Sequence, residues 1–249
     1  MDAVKMRELL EKHRASGSTR PLIGGHRGCE CQWPENSIKA MEEGIRQGAD
    51  YLEIDIQLTK DNIPIVFHDI EVKEKTGLDG YVQDHIYQEL KDTFAPPTFM
   101  EVMEWGKKNK VYFALEIKSY NCINGEQNLK LMPILDDVVR QYDMYSHVEA
   151  FSVDWRALKK LKSINPLFDI GLISPVVPAD SIALLNEYDA FIYLSYVWNM
   201  RRGDVEYMQK NGIYVSGAIL RDMNLIEYAK SIGVDMFEFD KPELLGYIE

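Results

Sequence analysis

The sequence predicts an α/β fold, a single-domain (β/α)8 barrel of the TIM-barrel type, from three observations. Short runs rich in Ile, Val, Leu and aromatic residues alternate with helix-sized amphipathic segments. This alternation supplies eight barrel strands, and 249 residues is a length that suits such a barrel. No internal repeat or low-complexity block interrupts the pattern. We therefore expect residues 1–249 to form one domain.

The chain begins with a segment that predicts a helix outside the barrel. Met6, Leu9, Leu10 and His13 fall on one helical face within residues 1–20, so we expect this helix to pack on the body of the fold. The segment is charged from its second residue and has no apolar run of signal-peptide length. No later stretch could span a bilayer. We expect a cytoplasmic protein without a transmembrane segment.

The eight strand candidates are short and separated by helix-sized segments. The strands are Leu22–Gly25, Leu52–Gln57, Val111–Lys118, Val148–Phe151, Asp169–Ile173, Ala190–Leu194, Gly212–Ser216 and Met236–Phe239. The helices are Ser37–Gln47, Thr98–Asn109, Leu129–Tyr142, Asp154–Ser163, Asp204–Asn211 and Asn224–Ile232. Strands that alternate with helices in this way predict a parallel sheet.

One further apolar run, after the second strand, breaks the alternation. Pro64–Asp69 follows Leu58 after only a short polar link, whereas a parallel return needs a dozen or more residues. We therefore expect residues 58–97 to form an excursion, with an antiparallel hairpin strand followed by a long loop. The hairpin would carry His68 back toward the barrel mouth, and loops of this length are often functional lids.

Composition excludes several classes of function. The net charge is −12, and no cluster of Lys and Arg offers the basic stripe that nucleic-acid binding needs. Cys29, Cys31 and Cys122 match neither a disulfide framework nor a zinc spacing, so we expect three reduced thiols. We expect a small-molecule partner, and an anionic substrate would have to be held by local positive charge.

Strand alternation places three carboxylates inside the predicted barrel. Glu53 and Asp55 share one face of their strand, and Glu116 takes the inward face of the next, with apolar residues opposite. Clustered carboxylates repel one another unless a proton or a cation neutralises them. An all-oxygen ligand set favours Mg²⁺, Ca²⁺ or Mn²⁺ over zinc, so we expect one divalent cation. A solvated strand face with lysine partners is the competing interpretation.

The stretch GGHRGCECQWPENS, which follows the first strand, sets His26 and Arg27 between glycines that suit a tight turn and a close ligand. A lone histidine beside a strand end is usually a hydrogen-bonded loop residue, but His68 is expected at the same mouth. We interpret Asn36 as the N-cap of the first barrel helix. Glu35 could brace the turn.

These stretches resemble the bacterial glycerophosphodiester phosphodiesterases. The resemblance lies in HRG at His26–Gly28, PEN at Pro34–Asn36, GADYLEIDIQLTKDNIPIVFHD, and LEIK at Leu115–Lys118, in the family's order and spacing. Two later stretches differ: VSGAILRD stands where many relatives have Trp-Thr-Val-Asn, and FDKP stands where they often have Thr-Asp-x-Pro. The differences leave the reaction class unchanged and concern the substrate's alcohol group.

The resemblance implies a metal-dependent phosphodiesterase that releases glycerol 3-phosphate and an alcohol. In this family, the residues corresponding to Glu53, Asp55 and Glu116 hold a divalent ion, and those corresponding to His26 and His68 serve as general acid and base. Either histidine can have either role. The nucleophile can be water or a substrate hydroxyl that first forms a cyclic phosphate.

A phosphodiester beside carboxylates needs positive charge, so we expect Arg27 and Lys118 to bind the phosphate. A lysophospholipase D and a sugar-phosphate phosphodiesterase on the same barrel are alternatives. For these, four aromatic residues could line an apolar leaving-group pocket: Trp33, Tyr120, Tyr196 and Trp198. A non-catalytic binding module would be expected to lack part of the acid/base or metal set, and every member of that set is present.

Overall fold

The structure, a computed structural model, describes residues 6–17, 20–29 and 31–240. Within these residues, eight parallel strands close into a barrel, because the first strand pairs with both the second and the last. An extra strand, β3, pairs antiparallel with β2. In chain order the strands are β1 Leu22–Gly25, β2 Tyr51–Leu58, β3 Pro64–Val66, β4 Phe113–Ile117, β5 Val148–Ser152, β6 Ile170–Ile173, β7 Ile192–Tyr196, β8 Tyr214–Leu220 and β9 Met236–Phe239.

Helices surround this barrel and connect its strands. They are α1 Met6–Ala15, α2 Ile38–Arg46, α3 Lys73–Thr76, α4 Tyr87–Lys91, α5 Phe99–Asn109, α6 Asn121–Gln141, α7 Trp155–Ile164, α8 Ser181–Tyr188, α9 Arg202–Lys210 and α10 Met223–Ile232. Short 3₁₀ turns occupy Val82–Asp84 and Val197–Asn199. Across the described ranges, none of the helices combines the length and apolar character needed to cross a membrane.

Two apolar cores hold the barrel together. The larger lies between the strands and the surrounding helices, where the outward residues of β2 and β4, such as Ile54 and Leu115, are fully buried. The smaller lies inside the barrel, where Met6 and Leu10 of α1 pack against Leu22 of β1. Helix α1 therefore contributes to the interior core.

The excursion between β2 and α5 has the predicted form. Strand β3 returns antiparallel to β2, with Val66 opposite Ile56. The segment that follows carries α3 and α4 and has its own small core, which includes Phe67, Val72 and Leu90. His68 comes directly after Phe67, so this core fixes the segment that carries the histidine.

The predicted fold class is confirmed, but α3, α4 and α8 have no counterpart among the predicted helices, and α6 has a different start. Helix α8 is only eight residues long; its Leu185 is buried, and Ile182, Leu184 and Tyr188 are partly buried against the larger core. Helix α6 begins at Asn121 instead of Leu129. Its first turns bury polar groups, since the amides of Asn124 and Asn128 both donate to the carbonyl oxygen of Lys118.

Candidate active site

A cleft of about 800 Å³ opens at the carboxyl ends of the barrel strands. Five of the seven predicted site residues line it: His26, Arg27, His68, Glu116 and Lys118. The other two, Glu53 and Asp55, are fully buried beside them at 0% exposure. The carboxyl end of a barrel is where loops and strand ends supply catalytic groups. The structure thus brings all seven residues together.

Three carboxylates meet where β2 and β4 run side by side. Asp55 and Glu116 are register partners, and Glu53 lies two residues before Asp55 on the same face. One oxygen from each of the three carboxyl groups lies within 4.8 Å of the other two. Strand alternation alone predicted this convergence.

Lys118 supplies part of the positive charge that this cluster needs. Its Nζ donates to Glu116 Oε1 at 2.8 Å and lies 3.4 Å from Asp55 Oδ1. Burial alone would lower the pKa of Lys118, but the charges of Asp55 and Glu116 outweigh it and raise that pKa. Burial likewise opposes ionisation of Asp55, yet nearby positive charges, Lys118 first, lower its pKa to about 2.

Glu53 is the least compensated of the three. The backbone N–H of Arg27 donates to Glu53 Oε2 at 2.9 Å, but Glu53 Oε1 receives no hydrogen bond from any described residue. Burial, reinforced by the negative charge of Asp55, raises the pKa of Glu53 well above its ordinary value. A buried carboxylate oxygen without a partner is costly unless a proton or a cation meets it.

The donor set fits a divalent cation. Glu238 on β9 lines the same cleft, and it also has a buried oxygen without a hydrogen-bond partner among the described residues. When ionised, Glu238 and the three carboxylates of the cluster carry four negative charges, against two positive charges on Arg27 and Lys118. Negative charge is therefore in excess at this site, and oxygen-only donors suit a hard divalent cation.

His26 is held in one orientation by a carboxylate. Its Nδ1 bonds to Asp240 Oδ1, and the other oxygen of that carboxylate, Oδ2, accepts a hydrogen bond from Arg221 Nε at 2.8 Å. Burial opposes ionisation of Asp240, but the hydrogen bond from His26 helps to lower its pKa, so the carboxylate is ionised and can only accept. The Nδ1 therefore carries the proton, and Nε2 faces Glu53 Oε2 at 3.8 Å.

His68, which the excursion carries to the same cleft, has the same arrangement. Its Nδ1 lies 2.7 Å from Asp69 Oδ1, and the ionised Asp69 makes that nitrogen the donor. Burial lowers the pKa of His68, which favours the neutral ring. Both histidines thus keep Nε2 available for proton transfer.

A chain of alternating charges connects the two histidine-bearing segments. Arg27 Nη1 donates to Glu35 Oε2 at 2.7 Å, which confirms Glu35 as the brace of the turn. Lys75 of α3 donates to Glu35 Oε1 and lies 3.1 Å from Asp69 Oδ2. The oxygens of Glu35 and Asp69 approach each other and His68 closely enough for a metal ion, but the ammonium of Lys75 already bridges them.

The interpretation of Asn36 as a helix cap is wrong. Ser37 caps α2, and its hydroxyl accepts from the N–H of Ala40. Asn36 instead faces the carboxylate cluster: its Nδ2 donates to Asp55 Oδ2 at 2.7 Å, and its Oδ1 accepts from the N–H of Asp55. The backbone of Asn36 has a positive φ of 61°, which asparagine tolerates better than most residues, and this turns its amide inward.

Packing accounts for the glycines around the His-Arg turn. A Cβ on Gly24 would lie 2.4 Å from the ring of Tyr51. Gly28 has φ of +87°, and a Cβ there would lie 2.7 Å from the backbone of Ala40 in α2. Gly24 thus lets β1 lie against Tyr51 of β2, and Gly28 lets the turn lie against α2, which positions His26 and Arg27.

Residues 26–244 match the model of the glycerophosphoryl diester phosphodiesterase family. The chain belongs to this family. It is accordingly a phosphoric diester hydrolase, and the predicted resemblance is confirmed.

Individual relatives agree with this membership. A glycerophosphodiester phosphodiesterase from Caldanaerobacter subterraneus subsp. tengcongensis is 28% identical over 91% of this chain and 96% of its own length. The human lysophospholipase D GDPD3 is 29% identical over 64% of this chain and 52% of its own. A phosphodiesterase from Oleispira antarctica, solved with the product sn-glycerol-3-phosphate, has a TM-score of 0.82 at 22% identity, covering 94% of this chain and 98% of that one. That likeness supports the barrel fold.

In this family member the cleft has one charged side and one apolar side. The charged groups come from β1, β2, β4, β9 and the excursion, whereas the ends of β5 to β8 present mainly apolar side chains, together with Ser174 and Ser195. Those that line the cleft include Phe151, Ile173, Leu194 and Ile219. Of the aromatic residues expected near a leaving group, Tyr120 and Tyr196 line this cleft, and Trp33 lines an adjoining one of about 570 Å³.

Four residues of the site were not assigned a role from the sequence. Glu238 lies between outward Phe237 and Phe239, so the alternation rule that identified Glu53 would have found it. Asp69 directly follows His68 in the chain, and this adjacency could have indicated that its carboxylate orients the histidine. Asp240 and Lys75 reach the site only through the fold.

Proposed function

We propose that this chain hydrolyses glycerophosphodiesters to glycerol 3-phosphate and an alcohol, with residues 1–249 as one catalytic domain. The observation that carries the proposal is a pair of carboxylate-oriented histidines in one cleft with a three-carboxylate cluster. Family membership supports the reaction class. The Oleispira antarctica structure, with sn-glycerol-3-phosphate bound, supports the product.

Glu53, Asp55 and Glu116 would hold one divalent cation, with Mg²⁺ or Ca²⁺ the first candidates and Mn²⁺ the next. When bound, such an ion neutralises a phosphodiester and polarises its phosphorus–oxygen bonds. The buried Oε1 of Glu53 supports this assignment, since none of the described residues gives it a hydrogen bond.

Arg27 and Lys118 would bind the non-bridging phosphate oxygens. Both line the cleft, and each is held by carboxylates that fix its position: Glu35 for Arg27, and Glu116 for Lys118. The planar guanidinium can donate two parallel hydrogen bonds to a phosphate. Positioned cations stabilise the charge that develops on the phosphorus oxygens in the transition state.

His26 and His68 would carry out the two proton transfers. One Nε2 takes the proton of the nucleophile, and the other Nε2 donates a proton to the departing alkoxide. The ring that accepts a proton is neutral, with its own proton on Nδ1, whereas the ring that donates is the imidazolium, with a proton on both nitrogens. In either state Asp240 and Asp69 accept from Nδ1 and orient the ring.

The test is a panel of phosphodiesters assayed with and without chelator and with metal added back. We expect release of glycerol 3-phosphate from glycerophosphodiesters, its loss after chelation and its recovery with Mg²⁺, Ca²⁺ or Mn²⁺. Full turnover by metal-free protein would refute the metal assignment. Failure to release glycerol 3-phosphate from any member of the panel would refute the substrate class.

A lysophospholipase D activity in the same cleft is the second candidate. The apolar side formed by Phe151, Ile173 and Leu194 favours it, because that surface could take an acyl chain on the glycerol. The human relative named lysophospholipase D GDPD3 is compatible with it. Including lysophosphatidylcholine in the panel, with lysophosphatidic acid as the detected product, distinguishes the two candidates.

A further inference from the structure

The apolar side of the cleft continues outward into an exposed rim. Five large apolar side chains follow the carboxyl ends of the neighbouring strands β4, β5, β6 and β7. They are Tyr120, Val153, Val176, Tyr196 and Trp198, with exposures of 62%, 45%, 63%, 42% and 52%. We name these five residues the apolar rim. Single exposed apolar residues are ordinary, but a group at the mouth of a functional cleft marks an interaction surface.

Two of the rim residues support each other's conformation. The rings of Tyr196 and Trp198 stack in parallel, with centroids 4.8 Å apart and an angle of 7° between their planes. The pair stays half-exposed although Val197 between them is fully buried, so the buried residue anchors the segment beneath the rings. A rigid, exposed aromatic pair loses little conformational entropy when it is covered.

The position of the rim restricts what can cover it. Tyr120, Val153 and Tyr196 line the cleft as well as its edge, so an occupant of the rim lies over the substrate entrance. A protein partner there would obstruct entry, whereas a lipid surface would supply the substrate. The chain carries a net charge of −12, which opposes approach to anionic lipid. Trp and Tyr are the side chains that favour a lipid–water boundary.

We propose that the apolar rim docks this enzyme on a zwitterionic lipid–water interface, from which a lysophospholipid enters the cleft. This rests on the lysophospholipase D activity given above as the second candidate function and adds to it the physical form of the substrate. The phosphodiester lies at the charged side, and the acyl chain runs along Phe151, Ile173 and Leu194 toward the rim. Docking is peripheral, through side chains on strand ends and loops.

The test compares two double variants of the full chain. Val176→Ser with Trp198→Ser removes one aliphatic and one aromatic rim residue, neither of which lines the cleft. Leu167→Ser with Tyr207→Ser is the matched control, because those side chains are exposed by 71% and 51% but lie away from the rim, before β6 and on α9. Binding is measured by co-sedimentation with phosphatidylcholine vesicles containing lysophosphatidylcholine, and activity is measured on the same vesicles and on water-soluble glycerophosphocholine.

We expect the rim variant to lose about tenfold in vesicle binding and in turnover of vesicle-borne lysophosphatidylcholine, as expected from two partly buried apolar side chains. Turnover of glycerophosphocholine should stay unchanged, and the control variant should match the wild type throughout. The proposal would be overturned if the wild-type protein did not bind phosphatidylcholine vesicles. The proposal would also be overturned if vesicle binding required phosphatidylglycerol, or if the wild type were a dimer and the rim variant a monomer. If the wild type hydrolysed none of the diesters, the proposed function would be refuted instead. Vesicle binding is measured separately and does not depend on that activity.

Discussion

At the scale of single residues, the two histidines differ mainly in their surroundings. Asp240 and Asp69 fix the same tautomer in both rings, so the acid and base roles follow from where each Nε2 meets the substrate. His26 Nε2 lies near Glu53, and the two carboxylate partners are shared with different cations: Asp240 with Arg221, and Asp69 with Lys75. Kinetics on substrates with different leaving groups can separate the roles.

We expect His26→Ala and His68→Ala each to lower kcat by about 10²–10⁴-fold, because each removes one proton transfer. A diester with a very acidic alcohol, such as a nitrophenyl ester, needs no proton on departure. It should therefore restore much of the rate only in the variant that lacks the general acid. Wild-type rates in both variants on a glycerophosphodiester would mean that the two rings have no part in the chemistry.

The sequence could predict a residue of the site where the position of that residue within a single strand fixes the direction of its side chain. Glu53, Asp55 and Glu116 follow from the two-residue period of a strand, which fixes the face of each side chain. Asn36 could not be assigned in this way. The frequent use of asparagine as a helix cap depends only on neighbouring residues in the chain. The side-chain amide of Asn36 instead bonds to Asp55, 19 residues later, and this contact forms only once β2 lies beside the turn.

At the scale of elements, the short helix α3 joins the hairpin excursion to the first barrel turn. Its Lys75 is the shared cation of Glu35, which holds Arg27, and of Asp69, which orients His68. The spacing after β2 predicted the hairpin, because a short link can only return antiparallel. It did not predict α3, since a four-residue polar helix has no hydrophobic period.

We expect Lys75→Met to lower kcat about tenfold, because a charge-assisted contact of about 1.5 kcal/mol is worth that factor in rate. Burial opposes ionisation of Asp69 and Lys75 helps to lower its pKa, so removing Lys75 raises that pKa. The acidic limb of the pH profile should then move to higher pH, as Asp69 becomes protonated and stops accepting from His68.

Lys75→Arg should restore part of the rate, and Lys73→Met is the matched control. Lys73 lies on the same helix and pairs with the exposed Asp79, outside the charge chain. If Lys75→Met and Lys73→Met gave the same kcat and the same pH profile, Lys75 would have no positioning role.

At the scale of the whole molecule, the barrel gathers the charged groups of the candidate site at one end. Apolar residues that include Met6 and Leu10 fill part of the interior, while Glu53, Asp55, Glu116 and Glu238 meet at the carboxyl ends of the strands. Barrel closure brings β9 beside β1, which places Glu238 and Asp240 next to the His-Arg turn. The alternation of strands and helices predicted this closure, but it could not show which charges would face each other across it.

We expect a divalent cation to raise the Tm, and to raise it more at pH 8 than at pH 6. Burial, together with the charge of Glu116, raises the pKa of Glu238 to about 8 from its ordinary 4.5. The metal-free folded state therefore holds a proton that the unfolded state has released, and its unfolding free energy falls as pH rises from about 4.5 through about 8. A cation relieves the repulsion that appears when this proton leaves, so its stabilising effect grows over the same range.

At one hundred times its Kd the ion should contribute about 2.7 kcal/mol, or roughly 5–10 °C in Tm. Calorimetry with Mg²⁺ or Ca²⁺ against chelator measures this, and Glu53→Gln should fold but lose most of the rise. A Tm that is the same with metal and with chelator at both pH values would show that the carboxylate cluster is not a cation site.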